Sequence, residues 1–134
     1  MLVAGFALIG GLVALYLLLT HLGLSTLVCP IGGCEVVQAS QYSYILGIPV
    51  AALGLAYFLV ILALATIGLF RQAMLTTAVQ PLLVVLTGIG ILPYLPLTYI
   101  ELFVLHSVCM WCVISSIAMI AAFLSATWGT RRTV

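Results

Sequence analysis

Four long, nearly uncharged apolar runs constrain the fold of this chain more than any other feature. They cover about residues 2–22, 45–70, 75–93 and 100–128. Each is long enough for a helix to cross a bilayer, which needs roughly 20 residues. Only helices and closed barrels satisfy their backbone groups in lipid, and barrel strands would alternate apolar and polar residues. The runs therefore predict an all-α integral membrane protein, a four-transmembrane-helix bundle that forms a single domain over residues 1–134.

Charge is scarce enough to exclude other classes of protein. Only 4% of the residues are charged, against about 25% in soluble domains, so a water-soluble surface could not be built. A net charge of +1 leaves no electrostatic footprint for nucleic acid, and we expect no nucleic-acid partner. The first run lacks the positive flank and cleavage site of a signal peptide, so we expect it to remain as a span. We expect the lipid bilayer to surround the helices.

The five charged residues predict an orientation. Arg71 lies between the second and third runs, and Arg131 and Arg132 follow the fourth, so all three arginines fall on one side of a four-span bundle. Glu35 and Glu101 fall on the other side. By the positive-inside rule, we expect a multi-pass protein of the cell membrane with both termini in the cytoplasm.

Two connections lie on the predicted external side. The longer one, about residues 23–44, is expected to carry a short amphipathic helix after Cys34. In the shorter one, Pro93 and Pro96 are expected to end the third span, because proline cannot continue helical hydrogen bonding. Thr98 and Glu101 have the spacing of a capping box, so we expect the fourth helix to begin there.

The four cysteines form two pairs that the predicted topology places at the external side. Cys29 and Cys34 lie in the long connection, and Cys109 and Cys112 form a C-x-x-C early in the fourth helix. Residues three apart share a helix face, so the second pair can approach each other. A helix N-terminus or a nearby cation lowers a thiol pKa, as in redox-active pairs. His106, three residues before Cys109, could assist, although a lone histidine there is more often simply interfacial.

Several interpretations of the cysteines remain open from the residues alone. A single cysteine is often just a buried apolar residue, and the loop pair could be a structural disulfide of an oxidising compartment. Four thiolates could hold zinc, but with one pair inside a span we expect no metal site. The alternative to an enzyme is a small membrane scaffold or transporter subunit with structural disulfides. A transporter would usually carry an ionisable residue in mid-span, which these runs lack.

Redox transfer explains the placement of both pairs. A dithiol at the membrane edge can meet a lipid-soluble two-electron carrier, and a dithiol on an external loop can meet a soluble protein. Thiol–disulfide exchange through a mixed disulfide would connect the two.

With these features, the chain resembles the vitamin K epoxide reductase family over nearly its whole length. The resemblance lies in the order of the two cysteine pairs and in the segments Gly33–Val37, Ser40, Tyr42–Ser43, Gly47–Pro49 and Cys109–Cys112. It implies a quinone-dependent, disulfide-generating oxidoreductase, with ubiquinone, menaquinone or a vitamin K type quinone as electron acceptor.

The resemblance also implies a role for each site residue. Cys112 would lie beside the quinone, and Cys109 would exchange with Cys34 through a disulfide between the pairs. Cys29 would engage the partner protein. Ser40 would hydrogen-bond in the quinone region, and Ser116 would line the pocket.

The implied partner is a thioredoxin-like (DsbA-like) redox protein. Related bacterial proteins carry a fused thioredoxin-like domain, whereas this sequence stops at Val134, so the partner is expected to be a separate protein. The loop spacing of C-x₄-C is tighter than is usual in the family.

Overall fold

Four helices in the structure, a computed structural model, are long and apolar enough to cross a membrane. The structure describes residues 2–24, 26, 36, 39, 41, 44–70 and 76–133. The candidate spans are Leu2–His21, Val50–Gly68, Ala78–Val104 and Met110–Gly129. The predicted all-α bundle of four transmembrane helices is confirmed. The amphipathic helix predicted in the long connection lies largely outside the described residues.

The described elements are mostly helical, with one short hairpin. In chain order they are α1 (Leu2–His21), β1 (Tyr44–Ile45), β2 (Ile48–Pro49), α2 (Val50–Phe70), α3 (Thr76–Ile91), α4 (Tyr94–Tyr99), a π-helical turn (Ile100–Val104) and α5 (Met110–Thr133). The helix α1 packs against α2 and α5, while α3 packs mainly against α5 and then α2.

Small residues allow the helices to pack closely. Ala7 of α1, Phe58 and Ile61 of α2, and Ala126 of α5 are at most 1% exposed and belong to one core. Lipid is as apolar as these side chains, so close packing rather than the hydrophobic effect holds such helices together. The outer surface is apolar as well: Leu12, for example, is 57% exposed. This pattern suits a bundle surrounded by lipid.

The helices α1 and α5 run in opposite directions. Near the start of α1, Val3 joins the same core as Ala126, which lies near the end of α5. Near the end of α1, Leu17 clusters instead with Cys109, which directly precedes α5. The start of α1 and the end of α5 therefore lie at one end of the bundle, and Cys109 lies at the other.

The second span begins later than predicted because a hairpin occupies its first residues. Tyr44 pairs with Pro49 and Ile45 with Ile48. The two turn residues between them, Leu46 and Gly47, have φ of 54° and 82°. Positive φ at both positions gives a two-residue turn whose twist matches the strands. The helix α2 thus starts at Val50 rather than near residue 45.

The start of the fourth helix also differs from the prediction. Helix α3 ends at Ile91, but Pro93 (φ −63°) has a helical φ, so the chain resumes as α4 and stays helical to Val104. The break comes later, around His106, whose φ of 51° is left-handed. Helix α5 then starts at Met110 instead of near residue 100. The third apolar span consequently extends over Ala78–Val104.

A close approach between α1 and α2 gives a stability prediction. A Cβ placed on Gly10 would collide with the ring of Phe58, which is 1% exposed and has no room to move. We expect Gly10→Ala to reduce the free energy of unfolding by about 1–3 kcal/mol through overpacking. Gly5→Ala is the matched control, because a Cβ there meets nothing within 4 Å. Thermal unfolding in detergent measures both, and equal stability of the two variants would contradict the predicted clash.

Candidate dithiol site at the start of helix α5

Cys109 occupies the N-cap position of α5. The carbonyl oxygen of Cys109 accepts a hydrogen bond from the backbone N–H of Val113 at 3.1 Å, the first of the helix. The sulfur of Cys109 accepts hydrogen bonds from the backbone N–H groups of Cys112 and Trp111. A serine or aspartate oxygen usually satisfies these N–H groups at a helix start. Here a sulfur does so, and the positive end of the helix dipole favours its thiolate.

The two sulfurs of the C-x-x-C have different surroundings. Both cysteines are free thiols, with Cys109 fully buried and Cys112 half-buried. The hydrogen bond from the Cys112 thiol, aided by the two backbone N–H groups, lowers the pKa of Cys109 to about 7, although burial and the charge of Glu101 oppose this. Cys109 is therefore the more acidic thiol, and Cys112 is the less buried residue of the pair.

Helix α1 and an aromatic contact cover Cys109. Val13 and Leu17 of α1 form a cluster with Cys109, and Trp111 packs against it. The ring of Trp111 lies 4.9 Å, centroid to centroid, from the ring of Tyr16. Access to the Cys109 sulfur is therefore controlled by α1 and by Trp111.

Glu101 is a site residue for which the sequence predicted a side of the membrane and a capping role, but no role beside the cysteines. It lies in the π-helical turn and is 7% exposed. Its carboxylate accepts hydrogen bonds from the backbone N–H of Cys109 and from the thiol of Cys112. The predicted capping role is thus displaced along the chain: Glu101 caps the start of α5 from the preceding turn. The signal available in the sequence was an ionisable residue close to a membrane span, where charges are costly and commonly functional.

Two serines follow the cysteines, and they bond differently. Ser115 is buried, and its hydroxyl lies 2.8 Å from the hydroxyl of Tyr94 on α4. The hydroxyl of Ser116, the predicted pocket residue, donates to the carbonyl of Val113 in its own helix at 2.8 Å. No role was predicted for Ser115. Tyr94 also lies within electrostatic range of Cys112, so the Tyr94–Ser115 pair is a polar contact between helices close to that sulfur.

The surroundings of Cys112 fit a lipid-soluble quinone. Val113, which follows Cys112, and Val108, which precedes Cys109, are 39% and 40% exposed, so the dithiol motif presents apolar side chains that can be reached from the bilayer. The hydroxyls of Tyr94 and Ser115 are polar groups of the kind that can hydrogen-bond a quinone carbonyl. A half-buried thiol, apolar walls and a few hydroxyls are the chemistry that such a molecule requires.

Several predicted site residues lie outside the described residues. These are Cys29, Cys34 and Ser40 of the long connection. The described residues beside them show where the connection is attached. The hydroxyl of Tyr16 donates to the carbonyl of Thr26 at 3.0 Å, and His21 at the end of α1 hydrogen-bonds Tyr44. Both ends of the connection therefore lie at the Cys109 end of the bundle.

His106 does not share a helix face with Cys109. It lies in the non-helical linker between Val104 and Met110, and its side chain is exposed. The predicted assistance to Cys109 assumed a continuous helix from about residue 100, which the break at His106 removes.

The acidity of Cys109 gives a prediction that titration can check. In reduced protein with Cys29 and Cys34 replaced by serine, one thiolate should appear with a midpoint near pH 7. The lowered pKa means that the thiolate is present above that pH and is lost below it. In Cys112→Ala the midpoint should rise toward the ordinary thiol value, because the donating thiol is gone. Ultraviolet thiolate absorbance measures both, and a midpoint that Cys112→Ala leaves unchanged would contradict the assigned hydrogen bond.

Fold and site together define a membrane-embedded helical bundle with a thiol pair at one end. The sequence model of the vitamin K epoxide reductase family matches residues 1–127 of the 134, and the chain belongs to this family. A comparison with curated proteins gives no match. Membership of the family supports a membrane oxidoreductase that links disulfide chemistry to quinones in general, and it disfavours a non-enzymatic scaffold or transporter subunit.

Proposed function

We propose that this protein generates disulfides outside the cytoplasm. Electrons pass from a separate thioredoxin-like protein to Cys29 and Cys34, then to Cys109 and Cys112, and finally to a quinone in the bilayer. In the last step two thiols become one disulfide, and the two electrons and two protons reduce the quinone to a quinol. Thiol–disulfide exchange carries each earlier step through a mixed disulfide.

The observation that carries this proposal is the unequal environment of the two sulfurs. Cys109 is buried with a pKa lowered to about 7, and Cys112 is half-buried beside apolar surface. In the proposed direction, Cys34 attacks Cys109, and Cys109 is later released as a thiolate. A thiol of low pKa leaves faster, so Cys109 is suited to exchange with Cys34. The more exposed Cys112 is suited to meet the quinone.

The attachment of the long connection supports transfer between the two pairs. Thr26 and Tyr44, which lie on either side of the loop cysteines, are held by Tyr16 and His21 near the end of α1. That end is also where α1 covers Cys109. A loop of this length attached at both ends beside the C-x-x-C can bring Cys34 to Cys109 without crossing the bilayer.

The same arrangement supports the proposed orientation. The start of α1 and the end of α5 share one end of the bundle, opposite the thiol pair. The positive-inside rule places Arg71, Arg131 and Arg132 in the cytoplasm. Both termini are then cytoplasmic, and all four cysteines are external, where a disulfide persists.

Ser40 and Ser116 complete the proposed quinone site. Ser40 would donate to a quinone carbonyl, and Ser116, one helical turn after Cys112, would line the pocket. Support for this position comes from Val113, which follows Cys112 and is apolar and exposed. The quinone supplies the oxidising power; the protein residues hold the reacting sulfurs and orient the carbonyl.

Quinone reduction by the purified protein tests the proposal. A reduced thioredoxin-like protein serves as donor, and a short-chain ubiquinone and menadione serve as alternative acceptors. We expect stoichiometric oxidation of donor thiols and reduction of at least one quinone, with the reaction lost when any one of the four cysteines is replaced by serine. Donor thiols that remain reduced with both quinones would contradict the proposal.

A further inference from the structure

Glu101 makes two contacts that bear on the chemistry of the thiol pair. Its carboxylate accepts the backbone N–H of Cys109 and the thiol of Cys112. The side chain is 7% exposed, and no described buried polar side-chain atom lacks a partner. A carboxylate removed from water beside a reacting sulfur is costly to maintain unless it is hydrogen-bonded, and both of these hydrogen bonds come from the dithiol motif.

Two described groups can accept the single hydrogen of the Cys112 thiol. One acceptor is the Cys109 sulfur, and the other is the Glu101 carboxylate. When Cys112 reacts, its proton must leave, because the thiolate is the nucleophile. The Cys109 sulfur is itself consumed in the disulfide, so it cannot keep that proton. Glu101 remains as the group that can accept it.

We propose that Glu101 is the proton acceptor for Cys112 when the dithiol is oxidised, an inference that rests on the proposed function. In this step the Cys112 S–H bond breaks, a Glu101 O–H bond forms, and Cys112 is left as a thiolate. Cys112 and Cys109 then give two electrons to the quinone as their disulfide forms. The proton on Glu101 passes to the quinol oxygen or to water, the second proton comes from Cys109 by way of solvent, and Glu101 returns to the carboxylate.

The hydrogen bond to Cys109 N–H serves the same step by fixing the carboxylate. It holds Glu101 against the first turn of α5, where the carboxylate also contacts the Cys112 thiol. The π-helical turn Ile100–Val104 places the glutamate there, and such turns are found frequently at functional sites. A carboxylate held in contact with a thiol satisfies the geometric requirement for a general base.

Glu101→Gln separates this role from capping. The amide oxygen still accepts the Cys109 N–H, but the side chain no longer takes a proton. We expect the kcat of quinone reduction to fall about 100-fold, with the KM for quinone and the thermal stability unchanged. Glu101→Asp should recover part of the rate. Thr87→Val, which removes a buried hydrogen bond to Leu83 on α3, is the control for a general loss of packing.

A wild-type rate in Glu101→Gln would overturn the inference. Absence of quinone reduction in the wild-type protein would instead overturn the proposed function, so the two failures are distinguishable. An equal loss of rate in Glu101→Gln and Thr87→Val would also count against a specific role.

Infrared spectroscopy tests the inference without a change at Glu101. In Cys109→Ser the reaction should stop after Cys112 has lost its proton, because the second sulfur is missing. Adding the quinone that the wild type reduces should then produce the absorption of a protonated glutamate. The chain has two glutamates and no aspartate, so [¹³C]glutamate labelling together with Glu35→Gln assigns the signal. No carboxylic acid signal from Glu101 in this trapped state would overturn the proposal.

Discussion

Replacing Cys112 with serine is expected to lower quinone reduction by more than about a thousandfold. The hydroxyl of serine is far less acidic than a thiol and cannot form the disulfide that releases two electrons. The loss should appear in kcat with either a thioredoxin-like donor or dithiothreitol, because the missing sulfur is the one beside the quinone. The loop pair should still exchange with the donor, since Cys29 and Cys34 remain.

Ser125→Ala provides the matched control on the same helix. The hydroxyl of Ser125 bonds only within α5, to the carbonyl of Ala121 at 2.8 Å, more than three turns beyond Cys112. This variant should reduce quinone at the wild-type rate. If Cys112→Ser retained that rate as well, Cys112 would not be the sulfur that meets the quinone.

The spans could be predicted because lipid imposes a simple rule on composition. Runs of about 20 apolar residues have few alternatives to a membrane helix. The boundaries were harder to predict because local backbone geometry sets them. Leu46 and Gly47 form a tight turn inside an apolar run, and His106 adopts a left-handed conformation that moves the start of α5 to Met110. The cost of a left-handed backbone conformation is only about 1 kcal/mol per residue, and the hydrophobic pattern does not show where the chain adopts one.

The site was partly predictable for a related reason. The cysteines were found because their chemistry and spacing are distinctive, whereas Glu101 and Ser115 acquire significance only through packing. Ser115 and Ser116 are adjacent and identical in type, yet only the hydroxyl of Ser115 meets Tyr94 on another helix. The rotation of α5 about its axis decides which of two neighbouring serines faces a partner helix. Because apolar residues surround this helix on all sides, the sequence pattern does not predict that rotation.

Replacing Cys29 with serine is expected to trap Cys34 in a disulfide with Cys109. After quinone oxidises the inner pair, the Cys34 thiolate attacks the Cys109 sulfur, the Cys109–Cys112 bond breaks, and Cys112 leaves as a thiolate. In the wild type, Cys29 would then attack Cys34 and release Cys109. Without Cys29 this resolution is lost. Peptide mapping under non-reducing conditions should find the Cys34–Cys109 linkage, which the double replacement of Cys29 and Cys34 by serine cannot form.

The same trap reports on how Cys109 becomes accessible, because its sulfur is fully buried in the reduced protein. Formation of the bond requires its cover to move, and Trp111 is part of that cover. The chain has two tryptophans, and the other, Trp128, is 66% exposed near the opposite end of α5, so Trp128→Phe leaves Trp111 as a single fluorescent reporter. Trapping should change the emission of Trp111, and dithiothreitol should restore it. A trapped bond with unchanged emission would show that Cys34 reaches Cys109 by displacing α1 instead, and absence of the bond would contradict transfer between the pairs.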